Sequence, residues 1–160
     1  MQKLLVITLL VILLFTGCSD AQEYSKYNSD IEILNERYSI IRSDVVEGVF
    51  FAEAECCNIA EMCGVDEIPI SLDEETLEEI KPVKTKQEAV KTARNILEKH
   101  QQKKKAADDV VCEIVYFPKD TVWRFEYASE ELIDGTVEGG SWFVAIDGNS
   151  GRLIKAWGEE

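Results

Sequence analysis

Histidine is almost missing from this chain: one residue, His100, among 160. A hydrolytic triad needs a nucleophile, a base and an orienting group, and His100 falls on a helical apolar stripe that the core claims. Ser141 follows Gly139 and Gly140 but lacks the G-x-S-x-G elbow that presents an exposed nucleophile. No paired C-x-x-C spacing occurs, so a thiolate zinc site has neither its cysteine geometry nor histidines to complete it. The same gap, with no basic residue beside Cys56 and Cys57, excludes a redox-active pair of the usual kind. The turn Asp147-Gly148-Asn149-Ser150-Gly151 begins like a calcium loop, yet it lacks glycine at the sixth place and glutamate at the twelfth. Basic residues are scarce, 17 Lys and Arg against 31 Asp and Glu, for a formal charge of -14. That acidity disfavours nucleic acid and anionic lipid as partners. The expectation is a protein that is not an enzyme and uses no cofactor and no metal.

Nor is there an apolar run of the roughly 20 residues that cross a bilayer. What is present is shorter: Lys3, then an apolar stretch over residues 4–15. It closes on Leu14-Phe15-Thr16-Gly17-Cys18, small residues before a cysteine, and this resembles the bacterial lipobox, with Phe15 where that motif usually has Leu. The resemblance implies a signal peptide over 1–17 and a diacylglycerol, with a further acyl chain, on Cys18. Two or three chains make a stable membrane anchor. Residues 18–30 are polar and read as a lipidated flexible tether. Ser19 in place of Asp is the choice that permits outer-membrane transfer in enterobacterial lipoproteins. The expected address is the bacterial cell envelope, facing the periplasm or the exterior, with about 140 residues left for one domain.

With Cys18 set aside for lipid, Cys56, Cys57, Cys63 and Cys112 remain, an even count in an oxidising compartment. A bond between neighbours Cys56 and Cys57 is strained. The expected pairing is therefore local, Cys63 to Cys56 or Cys57, with the other neighbour bridging to Cys112. Each bridge contributes about 2–4 kcal/mol.

Periodicity orders the rest. Ile31, Leu34, Tyr38, Ile41 and Val45 keep helical spacing, while Val45-Val46 and Val49-Phe50-Phe51 are β-prone, so a helix is expected to give way to an extended stretch. Ser71 and Glu74 have capping-box spacing and predict a short helix ending before Pro82, its acidic run a solvated face. Thr85 and Glu88 form a second box, followed by a stripe of Ala89, Val90, Ala93, Ile96, Leu97 and His100. Lys103, Lys104 and Lys105 suit that helix's C-terminus. Strands are predicted over 110–117, 122–127, 141–146 and 152–157, separated by turn residues. The expected fold is α+β: an amphipathic helix on an antiparallel sheet of about four strands over 83–160, preceded by a cysteine-containing segment, 31–82.

The C-terminal half resembles the PepSY-like domains of bacterial envelope proteins. The residues that carry the likeness are the helix opening Thr85-Lys86-Gln87-Glu88-Ala89-Val90, the strand Val122-Trp123-Arg124-Phe125, the pair Gly139-Gly140, and the closing motif over 145–154. The same layout is similar to NTF2-fold immunity proteins. The first resemblance implies a cystatin-like fold and a regulator or inhibitor of a protease or other envelope protein. The second implies neutralisation of a toxin met in the envelope, and a purely structural envelope lipoprotein is the third reading. The expected partner surface is the loop over 129–140, with Glu138, Gly139 and Gly140, and an aromatic edge at Trp142 and Trp157, although burial is the commoner fate of tryptophan.

Overall fold

The runs Val45-Val46 and Val49-Phe50-Phe51 flank a two-residue turn, Glu47 and Gly48, whose φ angles of 52° and 79° are both positive. That is the backbone of a tight hairpin whose twist suits the strands it joins. β1 (Ile40–Val46) and β2 (Val49–Ala54) therefore pair antiparallel, Val46 facing Val49 and Ile40 facing Ala54. The computed structural model describes residues 38–55, 67–72, 74–104, 109–129 and 140–159, and these belong to one compact unit, Arg37–Glu160. The expected signal peptide, the tether, Cys18, Cys56, Cys57, Cys63, Glu138 and Gly139 lie outside the described residues.

After β2 come β3 (Glu67–Pro69), α1 (Glu74–Glu79) and α2 (Lys86–Lys104), then β4 (Asp109–Phe117), β5 (Val122–Ser129), β6 (Trp142–Asp147) and β7 (Leu153–Glu159). The strands form one seven-stranded sheet in the order β1-β2-β4-β5-β6-β7-β3. Six have at least six residues, and β3 has three. β2 lies parallel to β4, Phe50 beside Glu113, and every other pairing is antiparallel. This corrects the expected α+β fold of one helix on about four antiparallel strands: among the described residues the sheet is larger, mixed, and dominates two helices. The helical spacing that begins at Ile31 fails from Ile40 on, where Ile41 and Val45 are strand residues, while residues 31–37 lie outside the described ones. The two-residue turn at Glu47 and Gly48 folds that strand back on β2, Val46 pairing with Val49.

One face of the sheet carries α2. Ala89, Val90, Ala93, Ile96 and Leu97 are buried against Phe51, Ile114, Trp123, Phe125, Tyr127, Val144 and Ile146. The helix starts where its capping box closes: Glu88 N–H donates to Thr85 Oγ1 (3.2 Å), and Thr85 and Lys84 N–H donate to Glu88 Oε2 (3.0 and 2.8 Å). Two of the four orphan amides of a helix start are thereby satisfied reciprocally. The acidic run of α1 is solvated as expected, with Thr76 buried beneath it and Leu77 on the core.

Candidate functional site

The opposite face of the sheet holds the charged groups. Alternation along β5 puts Arg124 there, between the core residues Trp123 and Phe125 that point to α2, and only 1 % of Arg124 is exposed. Its Nη2 donates to Glu113 Oε1 and to Glu126 Oε2, the latter at 3.1 Å, and its Nη1 donates to the Tyr38 hydroxyl at 3.2 Å. Burial alone would push the guanidinium down; the Glu113 and Glu126 carboxylates outweigh it and raise it, so it stays charged. The cation also sits over two rings, 5.3 Å from the Tyr38 centroid and 5.1 Å from that of Phe143. Phe143 stacks on Trp157 at 5.2 Å, and Lys155 Nζ lies 5.6 Å from the Trp157 ring. A row of cations and rings, Arg124, Phe143, Trp157 and Lys155, thus crosses β5, β6 and β7.

Chemically this row is a brace. A guanidinium held charged neither gives nor takes a proton, and its carboxylates are committed to it. Arg124 Nε and Trp157 Nε1 are buried donors with no acceptor among the described residues. Cys112, at a β-bulge between Val111 and Glu113, donates its thiol hydrogen to the Glu126 carbonyl (3.3 Å). Burial, with Glu126 and Glu113 nearby, pushes that thiol up and away from the reactive thiolate. Tyr127 is raised by burial as well, its hydroxyl donating to the Ala93 carbonyl at 3.2 Å.

Polar groups open to solvent gather elsewhere. Glu47, Gln87, Glu88, Lys91, Arg94 and Asn95 line a groove of about 400 Å³ between the β1–β2 turn and the first turns of α2. Arg94 donates to Glu47 through both Nη atoms, to the carboxylate at 2.7 Å and to the carbonyl at 2.8 Å. Glu88 is spent on the helix cap, which holds its carboxyl below the ordinary range through the Lys84 amide first and Thr85 next. Gln87, Lys91 and Asn95 are exposed and frame the groove.

No family model, curated protein or solved structure matches this chain.

The residues behind the PepSY-like and NTF2-like resemblance have a local explanation in the fold. Asp147 Oδ1 accepts from Ser150 N–H (2.7 Å) and Oγ (3.0 Å), which holds the Asp147 carboxyl below its usual range. Gly148 N–H donates to the Thr121 carbonyl, Val83 N–H to the Gly148 carbonyl, and Trp123 Nε1 to the Val83 carbonyl. A Cβ on Gly148 would stand 2.8 Å from Trp123 Nε1, and one on Gly151 2.5 Å from the Lys81 carbonyl carbon. The closing motif is a clasp that ties the β6–β7 turn to the link before α2.

Trp142 and Trp157 are not brought together. Trp142 lies on the helix face, stacked on Tyr127 at 3.9 Å and near His100 at 4.5 Å, with Nε1 donating to Asp109 Oδ2 (3.1 Å). Trp157 lies on the other face and is fully buried. In place of the expected aromatic edge, both are core residues, and of the expected surface only Gly140 is described as exposed. Sequence reading missed the Arg124 cluster, although a charged triplet at Glu113, Arg124 and Glu126 inside β-patterned runs is the signal that flags it. Among the described residues there is no group of three or more metal-ligating side chains and no helix long and apolar enough to cross a membrane.

Proposed function

We propose that this is a lipid-anchored, extracytoplasmic binding protein that regulates or inhibits an envelope protein without catalysing a reaction. The observation that carries the reading is where the polar groups stand. The charged cluster is closed inside the sheet, whereas the groove framed by Gln87, Lys91 and Asn95 is open and shallow, a shape suited to a partner's side chains. The lipobox-like stretch ending at Cys18 supports the address, and the PepSY-like motifs make a protease the first target class to test.

The test has two arms. Full-length chain and a Cys18→Ala variant are fractionated from the native cell, and the variant is expected to leave the membrane fraction. Oxidised protein covering residues 19–160 is then immobilised and offered envelope proteins beside a Lys91→Glu, Gln87→Glu double variant of equal thermal stability. A single protease retained by the parent and lost by the double variant supports the reading. A toxin domain retained instead moves it to immunity, and equal retention by both proteins refutes the groove as the binding surface.

A further inference from the structure

The two edges of the sheet are unlike. β3 closes one of them with three residues, the last being Pro69, which has no amide hydrogen to give a further strand. β1 forms the other edge and is seven residues long. It carries Ile41, which is 55 % exposed and is the only exposed large apolar side chain among the described residues. Val46 pairs with Val49 across the two-residue turn, so those two exchange backbone hydrogen bonds. Alternation then commits the backbone of Asp44 and Arg42 to β2 and turns that of Ser43 and Val45 to the outer side. The Val45 amide agrees, since it donates to the Asp44 carboxylate at 2.8 Å and not to β2.

The strand reads Ile40-Ile41-Arg42-Ser43-Asp44-Val45-Val46, nearly the same in chemical character from either end. Reversed and laid beside itself with Ser43 opposite Ser43, it sets Arg42 against Asp44 at two places and Ile41 against Val45 at two more. Arg42 and Asp44 share one face of β1 and both are exposed. In the new ladder each would meet its opposite in a non-hydrogen-bonded pair, the closer kind, with Cα atoms about 4.5 Å apart. Opposite charges stabilise such a pair and like charges destabilise it. Arg42 is equipped for it: Nε donates to Glu53, and neither Nη group has a partner among the described residues. Asp44, held by Lys86 Nζ at 3.1 Å, need only exchange the Val45 amide for a second Arg42, which frees that amide for the ladder. The β-bulge between Ile40 and Arg42 ends the regular strand, so the overlap runs from Ile41 to Val45.

We propose that two copies of the chain pair antiparallel through β1 about a two-fold axis at Ser43, joining their sheets edge to edge, with Arg42 of each copy against Asp44 of the other. The contact is isologous and closes at two copies. A single strand pair is a small interface, so the association is weak and depends on concentration. The charges also choose the occupant. An apolar strand laid on β1 strips water from Arg42 and Asp44 and returns nothing, which is how charged edges repel unwanted partners, whereas a second copy brings the same two ions in reverse order.

Sedimentation velocity of the full chain in detergent, from low micromolar to near-millimolar protein, reads the association. The parent is expected to pass from monomer towards dimer across that range. Arg42→Asp and Asp44→Arg each set like charges opposite one another at both pairs, and each variant alone is expected to raise the dimer Kd about tenfold or more. Mixed in equal amounts, the two variants restore opposite charges at both pairs, and the dimer is expected to return with one copy of each. Mixing does not mend a variant that has merely misfolded. A parent that stays monomeric at the highest concentration overturns the proposal. So do single variants that dimerise like the parent, which places the contact on another surface, and so does a mixture no more dimeric than its components.

Discussion

Arg124 is the residue on which the far face of the sheet depends. Removing it leaves Glu113 buried beside Glu126 with no cation between them, and breaking a buried pair from one side costs about 3–5 kcal/mol. Arg124→Met is expected to lose that much in urea denaturation. Adding Glu113→Leu is expected to recover part of it, so a double-mutant cycle reads a coupling that surface pairs such as Arg94 with Glu47 do not have. Asp147 is a case of acid sensitivity. Its folded carboxyl lies below the ordinary value of 3.8, so its stabilisation is complete above that value and is lost as pH falls through the folded one. Asp147→Asn is expected to give a flatter stability profile through the acid range, converging with the parent at low pH in denaturation series. Thr121, a β-branched residue at φ 55°, holds a left-handed backbone. Thr121→Asn is expected to gain about 1 kcal/mol, read as a higher urea midpoint.

At the scale of elements, two glycines separate conformation from space. Gly48 has φ 79° with nothing near its missing Cβ, while Gly151 has φ 72° with the Lys81 and Ile80 backbone at 2.5–2.6 Å. Gly48→Ala is expected to cost about 1 kcal/mol, and Gly151→Ala distinctly more, since it also forces the clasp open; paired thermal melts compare them. The same elements show what was legible in the sequence. The second capping box, the stripe on α2 and the four C-terminal strands stood out because each rests on local periodicity or a local hydrogen bond. β1 did not. Its residues satisfy both periods over a short window, and only the Glu47-Gly48 turn between β-prone runs decides the matter. The pairing of β2 with β4 was beyond reach, since a parallel neighbour leaves no mark in the intervening residues. The Arg124 cluster is intermediate: its members alternate correctly with the core, yet nothing in the sequence says that the second face is buried too.

For the molecule as a whole, the sheet explains why composition alone pointed to binding without naming a partner. The residues that resemble a family are those that cap α2, clasp the β6–β7 turn and fill the core, so they report architecture. The open groove beside α2 is where exposed polar and charged side chains gather, and it is the surface on which the proposed binding role rests. The mixed topology has a further consequence, in time. About sixty residues separate Phe50 from its neighbour Glu113, and closing so long a loop is entropically costly and slow. A chain synthesised N-terminus first makes the β1–β2 hairpin early and then keeps Phe50 and Phe51 waiting for β4. Until that strand arrives the hairpin offers its edge to any other chain, so the step at greatest risk of aggregation comes before the last third of the protein has been synthesised.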